Sequence, residues 1–140
     1  MTNGLSRAGA LASPEATPRK TESDSRSMRV LAALGALCCA IAVGAGAYAM
    51  HATLTPQNHQ RFGLTALFLF AHGLALAALA PRTASRVRQV GLCVLLLGTL
   101  LFTGSLACAA LLGMKPVLAP FGGGAMMFGW VLVAVGFVVE

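Results

Sequence analysis

Four long apolar runs without a single charged side chain fill almost everything after Arg29. They cover residues 30–50, 64–80, 90–112 and 117–139, and short polar segments separate them. Each run has about the 17 to 25 residues that a helix needs to cross a hydrocarbon core roughly 30 Å thick. Backbone groups in lipid must find partners within their own segment, and the runs lack the alternating pattern of barrel strands. The sequence therefore predicts an all-α fold, a four-helix transmembrane bundle with short loops.

The composition agrees with a membrane protein. Hydrophobic residues make up 57% of the chain and charged residues 10%, which leaves too little polar surface to solvate a globular domain of 140 residues. The net charge of +6 would suggest nucleic acid if it lay on one folded face. The basic residues lie instead in the N-terminal tail and the loops, so we predict no nucleic-acid partner.

The distribution of cations predicts the orientation. Four basic residues closely precede the first run and three more lie between the second and third, whereas two lie on the other side: Arg19, Lys20, Arg26, Arg29, Arg82, Arg86 and Arg88 against Arg61 and Lys115. By the positive-inside rule, both termini and the 81–89 loop face the cytoplasm. We expect a multi-pass protein of the cell membrane.

Residues 1–27 differ from the rest of the chain. They are rich in Ser, Thr, Pro and Ala with mixed charges, and show no apolar periodicity. Such a segment cannot bury enough surface to offset its ordering entropy, so we predict a disordered cytoplasmic extension. The transmembrane domain is predicted to cover residues 28–140.

Small residues recur within the runs at spacings that place them on one helix face. Lipid gives helices no hydrophobic drive to associate, so close backbone contact supplies van der Waals energy instead. We predict that these residues hold the bundle together, and that some bind a partner helix. The predicted packing residues are Gly35, Gly46, Gly98, Gly122, Gly123, Gly129 and Trp130.

Several segments resemble a known family. The segment 46–51 is similar to a motif that ends the first span of that family, and His72-Gly73-Leu74-Ala75 is similar to its His-x-Leu-Ala motif. The segment 98–106 resembles Gly-Thr-x-Leu-Phe-Ser-Gly-Ser-Leu, and segments 120–123 and 129–130 follow at a suitable distance. This is the family called domain of unknown function 423, four-span membrane proteins of bacteria with relatives in eukaryotes. The resemblance implies a bacterial inner membrane and leaves the activity open. Family members often begin with Met-Arg before the first span, as Met28-Arg29 does, so residues 1–27 resemble an extension or a misplaced start.

His72 is the titratable group that lies deepest in the predicted spans. Its position near the middle of the second run places it near the bilayer midplane, where we expect a neutral imidazole. Ionisable residues in the membrane are candidates for function. The structural alternative is a hydrogen bond to Thr99, Thr103 or Ser105 on the third helix. We predict a polar seam in which Gly104 and Ser105 meet His72.

The remaining candidates are weaker. His51 and His59 lie at the outer boundary and, with Met50 and Met114, could bind copper, although their spacing is not diagnostic. The cysteines form no Cys-x-x-Cys pair. No carboxylate lies within the runs, and no nucleophile has a base beside it, so we predict neither an enzyme nor a resident cofactor.

Three classes of function remain compatible with the sequence. The first is a membrane interaction or assembly protein that packs against other membrane proteins or a second copy of itself in the bilayer. The second is an oligomeric transporter or channel for small solutes, and the third is a metal- or redox-associated subunit. We expect the first, through packing of the small-residue helix faces, because proton-coupled export of solutes needs a carboxylate within the membrane and the runs contain none.

Overall fold

The computed structural model describes residues 20–139, and these form four helices joined by short connections. Helix α1 covers Lys20–His51, α2 Pro56–Leu79, α3 Arg86–Leu112 and α4 Ala119–Val138, with one 3-10 turn at Ala80–Arg82 between α2 and α3. All four helices are long and apolar enough to cross a membrane. The predicted all-α fold with four membrane spans is confirmed.

Helix α1 begins earlier than the sequence suggested. It starts at Lys20, so residues 20–27, which we expected to be disordered, are helical. An ion pair between Asp24 and Arg86, 2.9 Å apart, connects this first part of α1 to the start of α3. The predicted disorder of residues 1–19 lies outside the described residues.

Helix α2 begins at Pro56, eight residues before the predicted run, because its first turn is capped. The hydroxyl of Thr55 accepts a hydrogen bond from the backbone N–H of Asn58, and Pro56 occupies a position at which a missing N–H is harmless. The side chains of Asn58 and Arg61 donate to the carbonyls of Ala110 and Ala109, each at 3.2 Å. These two carbonyls belong to the last turn of α3, where carbonyl groups have no N–H partner within the helix.

The described helices pack in chain order, α1 on α2, α2 on α3 and α3 on α4, so they form an open row. Reciprocal glycine contacts join α1 to α2 and α3 to α4, and each of these two pairs forms a helical hairpin. A Cβ on Gly35 would lie 2.6 Å from the carbonyl oxygen of Gly73, and a Cβ on Gly73 would lie 2.7 Å from that of Gly35. Two such contacts join α3 to α4, Gly98 with Gly122 and Gly91 with Gly129. Their seven-residue spacing on both antiparallel helices keeps the two contacts in register.

The interface between α2 and α3 is built from larger side chains. Leu76 on α2 and Leu92 and Leu95 on α3 are fully buried and belong to the main apolar cluster. Thr99 and Thr103 continue the buried face of α3. The two glycine-joined hairpins are therefore connected by ordinary side-chain packing.

Helix α4 is much shorter than α3, and its first turn lies beside Phe102 rather than beside the end of α3. The last ten residues of α3 therefore extend about 15 Å beyond α4, at 1.5 Å per residue. The connection 113–118 returns along this part of α3 and borders a cavity of about 400 Å³ beside Gly104 and Ser105. Pro120 and the three glycines at 122–124 form the first turns of α4.

Candidate functional site

His72 lies on the buried face of α2, and 9% of it is exposed. Its Nδ1 atom donates a hydrogen bond to the carbonyl oxygen of Phe68, one turn earlier on the same helix, at 2.8 Å. The ring stacks on that of Phe68, with centroids 5.7 Å apart, and lies 6.0 Å from the ring of Trp130 on α4. The hydrogen bond that orients the imidazole is therefore made within α2, and not with α3 as the sequence suggested.

The hydroxyls of α3 also bond within their own helix. Thr99 donates to the carbonyl of Leu95 and Thr103 donates to the carbonyl of Thr99, both at 2.7 Å. Thr65 on α2 is different, because its hydroxyl is buried and has no hydrogen-bond partner among the described residues. Sequence reasoning overlooked Thr65, since a threonine in an apolar run shows no sign of whether its hydroxyl will be satisfied.

Gly104 and Ser105 do not meet His72, and the predicted polar seam is not formed by them. Gly104 is exposed, and no described atom would lie within 4 Å of a Cβ placed there. Both residues border the cavity beneath the 113–118 connection, on a different side of α3 from His72. The reason is rotational: Thr103 occupies the position that faces inward, and successive residues on a helix point about 100° apart.

A cavity of about 340 Å³ lies beside His72, between α2, α3 and α4. Aromatic side chains from the three helices line it, namely Phe68, Phe102 and Trp130. Gly123, Met126 and Met127 of α4 complete the wall. Segments that carry the family resemblance in α2, α3 and α4 thus meet at one place.

The predicted packing residues fall into two groups. Gly35, Gly98, Gly122 and Gly129 lie at backbone contacts between helices, and Gly46 lies against Ala66, where a Cβ would be 3.7 Å from the alanine methyl. Gly123 has open space where a side chain would be, within the described part of the chain. Trp130 is 40% exposed and borders the cavity beside His72 instead of filling a helix interface.

His51 ends α1 and is exposed, as is His59 in the first turns of α2. In the segment 20–139, no three His, Cys, Asp or Glu side chains gather into a group that could hold a metal ion. The copper hypothesis therefore gains no support from the placement of these histidines.

Arg88 is a buried residue that sequence reasoning treated only as a topology signal. Its Nε atom donates to the hydroxyl of Thr83 at 3.2 Å and its Nη2 atom donates to the carbonyl of Arg82 at 2.8 Å. The guanidinium also lies 4.7 Å from the ring centre of Phe137 on α4. Gly136 makes room for this contact, because a Cβ there would lie 2.7 Å from the Cβ of Arg88. Arg88 therefore connects the start of α3 to the 3-10 turn through hydrogen bonds and to the end of α4 through the ring of Phe137.

Comparison with known proteins supports the resemblance read from the sequence. The model of the family described as protein of unknown function, DUF423, matches residues 44–123. The match runs from the end of α1 through α2 and α3 to the first turns of α4. Comparison with curated proteins and with solved structures gives no match. Because the match covers more than half of the chain, this four-span membrane protein belongs to the DUF423 family.

Proposed function

We propose that this protein is a membrane interaction or assembly protein whose outer face on α1 binds a partner helix. The observation that carries the proposal is a second set of small residues on α1, which none of the other described helices covers. This surface, called here the outer α1 face, consists of exposed positions at three- and four-residue steps: Ala33, Ala36, Ala40, Gly44 and Ala47.

The position of the outer α1 face supports this role. The side of α1 that packs on α2 includes Leu31, Gly35 and Ala42, all buried. At 100° per residue, Ala40 and Gly44 lie roughly on the opposite side of the helix from these residues. A Cβ on Gly44 would meet no described atom within 4 Å. Because α1 is at the edge of the row, this face remains available to a partner.

The residue types on this face also favour a partner helix over lipid alone. Large apolar side chains that are exposed elsewhere on the bundle, such as Leu67 on α2 and Ile41 on another side of α1, suit contact with acyl chains. Small side chains let two backbones approach closely, which is how helices associate in a membrane. The occupant we propose is an apolar helix of another membrane protein or of a second copy of the chain.

The arginine-rich end of the bundle is proposed to face the cytoplasm. Arg82 and Arg86 lie at this end together with the first turns of α1, whereas Arg61 and Lys115 lie at the other. The positive-inside rule supports this orientation, in a bacterial inner membrane as the family suggests. We also propose that the protein is not an enzyme and does not bind nucleic acid. Transport and redox roles rank behind assembly, because no contact described above favours them.

Site-specific photocrosslinking in the native membrane tests the proposal. A benzophenone amino acid replaces Val43, a large side chain that is 65% exposed beside the outer α1 face, and in a matched control it replaces Leu67, which is 62% exposed on α2. We expect the Val43 position to give a defined protein adduct and the Leu67 position to give lipid adducts. Lipid adducts from both positions would refute the proposed partner helix.

A further inference from the structure

We propose that a cavity at the arginine-rich end of the bundle binds the headgroup of an anionic phospholipid, whose phosphate accepts hydrogen bonds from Arg29 and Gln89. This cavity, called here the Arg29 cavity, has a volume of about 410 Å³ and lies between the first turns of α1 and the connection from α2 to α3. None of its residues belongs to the outer α1 face. Residues of α1, of the connection and of α3 border it, among them Asp24, Met28, Arg29, Pro81, Thr83 and Gln89.

Two polar side chains on the border of the Arg29 cavity have donors that the described chain does not use. Within residues 20–139, no hydrogen bond or ion pair holds the guanidinium of Arg29 or the side-chain amide of Gln89. A guanidinium carries five N–H donors and a side-chain amide carries two. Polar atoms form part of the accessible wall of the cavity. A phosphate can therefore accept from both side chains without displacing a contact between described residues.

The charges around the cavity favour an anion. Asp24 is the one carboxylate among the described residues that border it, and its oxygen lies 2.9 Å from a nitrogen of Arg86. On another side, Arg88 donates from Nε to the hydroxyl of Thr83, which also borders the cavity, at 3.2 Å. Arg29, Arg86 and Arg88 thus place three cations around a site that has one carboxylate.

The position of the cavity favours a phospholipid over a free anion. Arg29 directly precedes the apolar run that begins at Val30, so the cavity lies where the polar end of the bundle meets the span. Met28 and Pro81 add apolar atoms to the wall, and Met28 belongs to the main apolar cluster. A headgroup bound here keeps its acyl chains beside the bundle, in the bilayer. Basic pockets between membrane helices recognise anionic headgroups in this way, and the volume lies within the range of small-molecule sites.

Native mass spectrometry of the purified full chain measures the binding of single lipid molecules. Dioleoyl phosphatidylglycerol is the anionic probe, and dioleoyl phosphatidylcholine, which has the same acyl chains and no net charge, is the control lipid. We expect phosphatidylglycerol to bind with about fivefold higher affinity, the effect of one arginine beside an anionic lipid. Inorganic phosphate in large excess should not displace the lipid, because it has no acyl chains.

Two pairs of variants assign the binding to the Arg29 cavity. Arg29→Gln removes the cation that borders the cavity, whereas Arg26→Gln removes an exposed cation of α1 that does not border it. We expect Arg29→Gln to lower the affinity for phosphatidylglycerol about thirtyfold, the effect of a charge-assisted hydrogen bond, and Arg26→Gln to lower it no more than about fivefold, the effect of a nearby charge alone. Gln89→Leu leaves the net charge unchanged and should lower the affinity about tenfold. The same change at Gln60, which is exposed at the other end of the bundle, should have no effect.

Four results would overturn the inference. Equal affinity of the parent chain for the two lipids would exclude recognition of an anionic headgroup. Equal losses in Arg29→Gln and Arg26→Gln would show a general attraction by the arginine-rich end. Displacement by inorganic phosphate would identify a free anion as the ligand. Unchanged affinity in Gln89→Leu would contradict the site even if Arg29→Gln did not remain folded, which size exclusion in detergent measures for each variant.

Discussion

Buried hydroxyl groups in α2 and α3 differ in whether they have a partner. Thr99 and Thr103 donate to carbonyls of their own helix, whereas Thr65 does not. A buried donor without a partner costs about 1–3 kcal/mol, and valine has nearly the same shape as threonine. We therefore expect Thr65→Val to raise the thermal stability of the detergent-solubilised protein by about 1 kcal/mol.

Thr103→Val is the matched control for this prediction, because it removes a hydroxyl that has a partner. We expect it to be neutral or to lower the stability slightly. Thermal unfolding of the two variants, followed by size exclusion in detergent, distinguishes them. A loss of stability in Thr65→Val would show that its hydroxyl bonds to a group such as a bound water.

The sequence predicted which types of residue pack between helices better than it predicted the direction in which each residue points. The small residues were expected to pack, and Gly35 and Gly98 do lie at backbone contacts. Gly104 was expected to meet α2, and it does not, since Thr103 faces the interior instead. The reason is that small and apolar residues occupy every side of each predicted helix. The sequence therefore contains no polar face that fixes the rotation of the helix.

At the scale of elements, the contacts of α3 predict that substitutions at two glycines six residues apart differ in their effect on stability. A Cβ on Gly98 would lie 2.7 Å from the backbone nitrogen of Met126, whereas Gly104 has open space within the described chain. Gly98→Ala should cost about 1–3 kcal/mol because the backbones of α3 and α4 must separate. Gly104→Leu should leave the stability unchanged.

Thermal unfolding in detergent, with expression level as a second readout, tests this pair. Gly98→Leu is expected to prevent accumulation of the folded protein, since the larger side chain meets the same backbone. Severe destabilisation by Gly104→Leu together with tolerance of Gly98→Ala would mean that α3 is rotated from the arrangement described here.

The first turns of α1 allow a prediction about the N-terminal segment. A chain beginning at Met28 loses the ion pair between Asp24 and Arg86, whose side chains are 35% and 63% exposed. Exposed pairs contribute about 0–1 kcal/mol, so the stability should change little. Arg29, Arg82, Arg86 and Arg88 still outnumber the cations at the other end.

Insertion and orientation of the shortened chain should therefore be the same as in the full chain. Protease protection in membrane vesicles measures both. An inverted or degraded product would show that residues 1–27 guide insertion, which their composition does not predict.

Helix ends were less predictable than helix centres, for a physical reason. The apolar run of α2 begins at Leu64, but the capped turn at Thr55 and the bonds from Asn58 and Arg61 to α3 extend the helix to Pro56. Hydropathy measures only the part that prefers lipid. Polar turns that continue a helix into the interface contribute nothing to that signal.

For the whole molecule, the number of spans followed from the sequence, whereas their arrangement did not. Length and hydropathy are enough to define four spans, because the thickness and the apolar interior of the bilayer require that length and that composition. The open row, with α1 and α4 at its edges, depends on which faces the glycines occupy. The cavity beside His72 could not be predicted from the sequence either, since Phe68, Phe102 and Trp130 come from three helices.

The proposed orientation predicts where reporters fused to the chain will be active. A phosphatase that works only in the periplasm is expected to be active within 113–116 and inactive after the C-terminus, because the cations favour cytoplasmic termini. A fluorescent protein that folds only in the cytoplasm provides the complementary readout at both sites. Phosphatase activity at the C-terminus and silence in the loop would reverse the assignment.

The size of the complex that the protein forms in its native membrane tests the proposed partner helix most directly. The parent chain is compared with Gly44→Leu, on the outer α1 face, and with Gly63→Leu, an equally open position on α2. After extraction in a mild detergent, native gel electrophoresis should show the parent and Gly63→Leu in the same complex, larger than one chain. Gly44→Leu should migrate as the chain alone, with unchanged thermal stability. Identical migration of all three proteins would contradict the claim that the outer α1 face binds a partner helix.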